Sequence, residues 1–194
     1  MNPDNDTRKW EVLKSDYLFR QPWLTVRRDH VRLPTGTEIP DYYVLEYPTW
    51  VNITAITPEG QMLLVRQYRH GLQWTGYELC AGVVDPGETP IEAARRELLE
   101  ETGYAGGQWT ELTVLSPNPT SCTNLCHCFV AEGVTKVAEP SQEATEDITS
   151  HLFSPAEVME MLCDDLIKQS LMSAALWKYF HTRHDASKTT PPQD

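Results

Sequence analysis

Arg96-Glu97-Leu98-Leu99-Glu100-Glu101 packs three carboxylates and a guanidinium into one short run. Its flanks predict a helix over Thr89 to Thr102. Thr89 is a capping residue, Pro90 fits the first helical position, and Glu92 completes a T-x-x-E box. Gly103 supplies the left-handed stop. At about 100° per residue, Glu97, Glu100 and Glu101 fall within roughly a 100° sector. Ile91, Ala94 and Leu98 form the adjacent apolar stripe, which should face a core. Three like charges at this spacing repel by a few tenths of a kcal/mol per pair. They also occupy the helix half whose dipole disfavours anions. A solvated face would do better with lysine, although charge runs are usually solvated faces. A divalent cation resolves the conflict, because hard oxygen ligands at this spacing suit Mg²⁺ or Mn²⁺ bridged to substrate phosphates.

The loop before the helix adds to this. Gly82-Val83-Val84-Asp85-Pro86-Gly87-Glu88 carries two glycines, which let backbone carbonyls approach a metal closely. Glu88 is spaced to pair with Arg96 and hold the helix against the loop.

Together these residues spell Gly82-x5-Glu88-x7-Arg96-Glu97-Leu98-x-Glu100-Glu101-x-Gly103-Tyr104. The pattern resembles the signature box of the Nudix hydrolase superfamily at every defining position. The resemblance implies a strand-loop-helix motif within an α/β/α sandwich around a curved mixed sheet. It implies hydrolysis of a nucleoside diphosphate linked to another moiety. By that carry-over Glu97 and Glu101 are the chief Mg²⁺ ligands, with Mn²⁺ as the other ion considered. Glu100 assists, the Ala81 carbonyl completes the site, and Arg96 orients the carboxylates.

Further segments are similar to the ADP-ribose pyrophosphatase and nucleotide-sugar diphosphatase branch. They are Val65-Arg66-Gln67-Tyr68-Arg69, Glu78-Leu79-x-Ala81-Gly82, Pro119, and the helix expected around Ile167 to Leu176. The acidic stretch Glu143-Ala144-Thr145-Glu146-Asp147-Ile148 is similar to a loop that brings another glutamate to the metals. Cys80 and Ala144 depart from that branch, which puts proline and, in some members, glutamate there. Glu146 is therefore the expected metal ligand or base, with Glu143 in reserve.

Pyrophosphate cleavage asks a protein chiefly to position groups and neutralise charge. Glu146 would accept the proton of the attacking water. Arg69 is the candidate diphosphate contact, because a guanidinium forks onto phosphate oxygens; a surface ion pair is its plainer reading. Arg66 and Glu78 are further substrate candidates. Trp50 and Trp23 could stack on a base, or serve a core or interface. The expected reaction is ADP-ribose plus water giving AMP and ribose 5-phosphate. Two alternatives stay open: the same chemistry on another nucleotide sugar such as GDP-mannose, or a non-catalytic nucleotide-binding module.

The elements that must position these residues read as α+β. Residues 1–10 and 183–194 are polar and expected to be disordered. Residues 11–47 read as an antiparallel β extension, through Trp23–Val26, His30–Leu33 and Tyr42–Leu45, and related enzymes use that region to dimerise. Residues 48–182 form the expected hydrolase domain. Its strands are Val51–Ile56, Met62–Val65, Tyr77–Val84, Leu112–Leu115, Leu125–Ala131 and Ile148–Phe153, with helices from Ser154 and from about Leu166 to Phe180.

Composition sets outer limits. The 194 residues carry 16 Lys+Arg against 28 Asp+Glu, a net charge of -12. That argues against a general nucleic-acid binder, which needs clustered basic residues. No apolar run approaches the roughly 20 residues that span a bilayer, and no signal segment opens the chain, so a cytoplasmic protein is expected. Five cysteines do not form a disulfide framework. Cys126 and Cys128 share one strand face while His127 points to the other, which argues against a zinc site formed with Cys122.

Overall fold

A computed structural model describes residues 7–21, 23–142 and 145–188, with side chains as far as Arg183. The chain divides into two units, residues 1–48 with 118–124, and residues 49–117 with 125–194.

The first unit is a three-stranded antiparallel sheet in the order β1-β2-β3, formed by β1 (Glu11–Gln21), β2 (Leu24–Arg32) and β3 (Glu38–Glu46). Two short strands expected at Trp23–Val26 and His30–Leu33 are one strand, β2. Charge holds its middle. Asp29 is buried and accepts from Ser15 Oγ at 2.7 Å and from Arg27 Nε at 2.9 Å. Residues 118–124 add to this unit rather than to the second. The Leu45 N–H donates to the Ser121 carbonyl at 2.7 Å, and the Thr123 N–H to the Leu45 carbonyl at 3.1 Å. Pro119 lies on that segment.

The second unit is a seven-stranded mixed sheet. Its strands are β4 (Trp50–Ile56), β5 (Met62–Arg69), β6 (Trp74–Glu78), β7 (Cys80–Val83), β8 (Tyr104–Leu115), β9 (Cys126–Lys136) and β10 (Thr149–Phe153). The order is β10-β5-β4-β9-β8, with β6 paired to β5 and β7 to β4. Among the described strands β4 and β9 run parallel, and the other pairs are antiparallel. Among the described residues, helices α1 (Pro90–Thr102), α2 (Pro155–Cys163) and α3 (Ser170–Lys188) accompany it.

Alternation along the strands builds two cores. Ile56, Met62, Leu64, Cys126, Cys128 and Val130 pack with Val158 and Leu162 of α2 and Leu171, Met172 and Leu176 of α3. Val51, Ile53, Ala55, Leu63, Val65, Phe129 and Ala131 pack with Ala93, Ala94 and Leu98 of α1. The sheet therefore carries helices on both faces, the α/β/α sandwich that was expected. Cys126 and Cys128 are core thiols, and His127 on the opposite face meets Glu111 at 3.1 Å.

The differences from expectation have local causes. The Tyr77–Val84 strand is two strands broken at Leu79. β8 begins well before Leu112, because pairing with β9 carries through Gly106 and Gly107 despite their positive φ. α3 starts at Ser170 rather than near Leu166; Asp165 turns left-handed, and Gln169 Oε1 caps the helix by accepting from the Leu171 N–H at 2.5 Å. It continues to Lys188, past the point where a disordered tail was expected.

Candidate functional site

The site is built on the first turn and last turns of α1. Thr89 Oγ1 accepts from the Glu92 N–H, the Glu92 carboxylate accepts from the Thr89 N–H at 2.8 Å, and Gly103 closes the helix at φ 75°. Both caps match the sequence expectation. Leu98 and Ala94 anchor the apolar stripe in the core, so Glu97 and Glu101 beside it are held at the sheet, while Glu100 stays about half exposed.

Arg96 organises one half of the cluster. Its Nε and Nη2 fork onto both Glu88 oxygens at 3.0 Å, and its Nη2 also donates to the Val83 carbonyl at 2.9 Å. Its Nη1 reaches Glu97 at 2.8 Å and Glu100 at 3.1 Å. Arg96 thus ties the loop to the helix and aligns two carboxylates. These contacts, Glu88 first, hold its guanidinium firmly charged and keep the Glu88 carboxyl below its ordinary range.

Glu101 forms the other half. It is only 4% exposed. Its Oε2 accepts from the Ala81 N–H at 3.3 Å, and the Cys80 thiol donates to it. Burial pushes its pKa up to about 8, reinforced by the negative charges of Glu97 and Glu146. Burial also raises Glu97, against the pull of Arg96. Cys80, buried beside Glu101, is pushed well above the usual thiol range by burial and then by that carboxylate.

Glu146 is near enough to Glu101 for its charge to raise that carboxyl. Glu143 lies outside the described residues. Gln142 holds this segment against α1: its Nε2 donates to the Glu101 carbonyl at 3.3 Å and to the Ile148 carbonyl at 2.6 Å. Sequence reasoning passed over Gln142, since a lone glutamine in a polar stretch carries no signal.

The donor set suits a hard divalent cation, since oxygens predominate and Glu101, unlike Glu97, makes no ion pair among the described residues. Gly82 leaves the space: a Cβ there would lie 2.0 Å from the Glu97 carboxyl carbon. Among the described residues, no three carboxylate, imidazole or thiol groups converge closely enough to grip an ion in this arrangement. The Glu97 carboxylate is turned onto Arg96.

Beside the cluster lies a cavity of about 440 Å³. Ala81 and Gly82 border it, with Trp50, Asn52, Arg69, Glu78, Leu171 and Met172. Arg69 is clamped on Glu78, with Nη2 to Oε2 at 2.6 Å and Nε to both oxygens at 3.1 Å. Glu78 is 2% exposed and the Arg69 side chain 45% exposed, so the pair is buried at its carboxylate end and open to solvent at its guanidinium. Trp50 is half-buried at the start of β4 and packs on the α3-side core. Arg66 is not brought to the cavity. It is exposed and one residue out of phase with Gln67 and Arg69, which face Glu78. Trp23 is 80% exposed in the first unit, so nothing there supports base stacking over an interface role.

Comparison with known proteins identifies the family. Residues 47–173 match the NUDIX domain, and residues 10–45 match the nucleoside diphosphate sugar hydrolase N-terminal domain. The chain is 31% identical to an ADP-ribose pyrophosphatase of Bacillus subtilis (strain 168) over 158 residues, covering 81% of each. It is 31% identical to an ADP-ribose pyrophosphatase of Mycobacterium tuberculosis over 169 residues, 86% of this chain and 81% of that protein. A crystal structure of an ADP compounds hydrolase superposes with a TM-score of 0.80 at 24% identity, covering 92% of this chain and 96% of the other. Nudix domains generally work with a divalent metal ion. The chain belongs to the Nudix hydrolases, and within them to the nucleoside diphosphate sugar hydrolase type.

Proposed function

We propose that this Nudix hydrolase cleaves the pyrophosphate of ADP-ribose, with water entering and AMP and ribose 5-phosphate leaving. The observation that carries the reading is the buried Glu101 carboxyl, set among Glu97, Glu146 and the Ala81 N–H at the edge of a ligand-sized cavity. Two relatives at 31% identity bear the name ADP-ribose pyrophosphatase, which supports this substrate among the nucleotide sugars.

In this reading Glu97, Glu101, Glu146 and the Ala81 carbonyl hold the divalent cation, Mg²⁺ in the first instance. A metal there would neutralise the diphosphate and ease the attack of water. Glu146 takes the water's proton, with Glu143 in reserve, and Glu100 assists. Arg96 positions Glu97 and Glu100 and touches no substrate. Arg69, held straight by Glu78, meets the diphosphate, and Trp50 walls the cavity. Arg66 becomes a weaker substrate candidate, being out of phase with Arg69. The first unit exposes Val12, Leu18, Phe19, Trp23 and Tyr43, which supports its use in a homodimer.

The test is turnover of ADP-ribose, GDP-mannose, UDP-glucose, ADP-glucose and NADH with Mg²⁺, by wild type and by Glu101→Gln. Turnover of ADP-ribose well above the rest, lost in the variant, supports the reading. Preference for another sugar nucleotide keeps the chemistry and discards the substrate. No turnover, with nucleotide binding intact in Glu101→Gln, leaves only a binding module.

A further inference from the structure

An α-helix ends in backbone carbonyls that have no partner within it, and each must find one outside. At the end of α1 two of these carbonyls belong to Glu100 and Glu101, and the acidic segment takes both. The Ser141 N–H donates to the Glu100 carbonyl at 2.8 Å, and Gln142 Nε2 donates to the Glu101 carbonyl at 3.3 Å. The same Gln142 amide also grips Ile148. Its Nε2 donates to the Ile148 carbonyl at 2.6 Å, and its Oε1 accepts from the Ile148 N–H at 3.3 Å. Ile148 is 8% exposed and shares the core of Ala93, Ala94 and Leu98 of α1.

A carboxamide offers a donor beside an acceptor, as a backbone peptide does. Gln142 therefore pairs with Ile148 as a neighbouring strand would, while its donor group also reaches α1. One side chain fixes the chain on both sides of Glu146 and ties it to the helix that carries Glu97 and Glu101. The charge of Glu146 is felt at Glu101 and at Cys80 beside it. A segment that only connected β9 to β10 could leave the helix carbonyls to water, which satisfies them without ordering a side chain. Resting on the hydrolase reading given above, we infer that Gln142 is a positioning residue, which hangs the acidic segment on the last carbonyls of α1 and so sets Glu146 beside Glu101. It acts through Glu146 and not on the substrate.

The test is a double-mutant cycle of Gln142→Leu and Glu146→Gln, with Gln142→Glu beside it and a thermal melt of each. Turnover of the preferred nucleotide of the panel above is followed at saturating Mg²⁺. Mn²⁺ affinity of the metal-stripped proteins is read by electron paramagnetic resonance. Leucine removes every hydrogen bond of the amide. Glutamate keeps the bond from the Ile148 N–H and turns an oxygen against two carbonyls. In both folded Gln142 variants kcat falls roughly 10- to 100-fold, the range of a group displaced by about an ångström, while KM changes little. Gln142→Leu adds nothing to the loss in Glu146→Gln, because the group it positions is already gone. Mn²⁺ affinity follows the same non-additive course. A folded Gln142→Leu or Gln142→Glu protein with kcat near wild type overturns the inference, as do losses that multiply in the double variant. The hydrolase reading is judged separately. In a protein that hydrolyses nothing, Mn²⁺ binding weakened by Gln142→Leu and no weaker in the double variant than in Glu146→Gln keeps the positioning role and removes the enzyme. Mn²⁺ binding unchanged by Gln142→Leu in such a protein overturns both.

Discussion

Glu97 lies over Gly82 so closely that a methyl group on the glycine would stand 2.0 Å from its carboxyl carbon. The Glu97 carboxylate can lie over strand β7 only because that hydrogen is there. The approach sets both groups of the site at once, the carboxylate from the helix and the backbone of the strand beside it.

Gly82→Ala should therefore act on chemistry more than on folding. The colliding atoms end a flexible side chain, so the stability cost is about 1–2 kcal/mol. Moving Glu97 by an ångström costs about 100-fold in kcat/KM. A urea melt and Mg²⁺-dependent turnover of the same variant check both numbers. Turnover near wild type would mean that Glu97 does not serve in the position seen here.

Arg96 spans Glu88, Glu97, Glu100 and the Val83 carbonyl at once. A lysine ammonium cannot fork onto Glu88 and still reach the other three. Arg96→Lys should thus resemble Arg96→Ala, each losing about 1–3 kcal/mol in urea unfolding and at least tenfold in kcat. Near-complete rescue by lysine would reduce Arg96 to a point charge.

The helix caps and the Glu88–Arg96 pair were legible because each depends on neighbours in sequence, whereas the two-faced sandwich followed from the Nudix resemblance. Thr89, Pro90, Glu92 and Gly103 announce α1 locally, and alternation in Val51–Ile56 announces its strand. The start of β8 was hidden, since Gly106 and Gly107 read as a loop and only the register with β9 makes them a strand. Strand β1 is nearly all exposed, so no apolar period marks it. At the site, carboxylate identity was readable, but proximity was not. Gln142 stapling the acidic segment to Glu101, and the phase difference between Arg66 and Arg69, are tertiary facts.

Glu101 sets a pH dependence in the metal-free protein. Its folded pKa of about 8 lies above the ordinary glutamate value, so the native state holds a proton that the unfolded chain releases. The stabilisation is complete below about pH 4.3, the unfolded pKa, and is lost as pH rises towards 8. Chelator-treated protein should lose stability across that window with a slope of at most about 1.4 kcal/mol per pH unit. Glu101→Gln, which is neutral throughout, should flatten the slope. Mg²⁺ binds the ionised carboxylate, so its stabilising effect should grow over the same range. Melting curves at pH 5 to 9, with EDTA and with Mg²⁺, measure all three. An equal slope in Glu101→Gln would assign the effect to other groups.

Arg69 and Glu78 make the last prediction. Arg69→Ala leaves the Glu78 carboxylate buried without its guanidinium, at a cost of about 2 kcal/mol. Adding Glu78→Gln removes that stranded charge, so the double variant should regain much of the lost stability. Activity should follow a different course. If Arg69 meets the diphosphate, the double variant stays as slow as Arg69→Ala, with the loss shared between kcat and KM. If the pair only braces the cavity wall, activity returns together with stability. The contrast between unfolding free energy and kcat/KM across the four proteins of this cycle decides between a guanidinium that touches substrate and one that props the strand beside it.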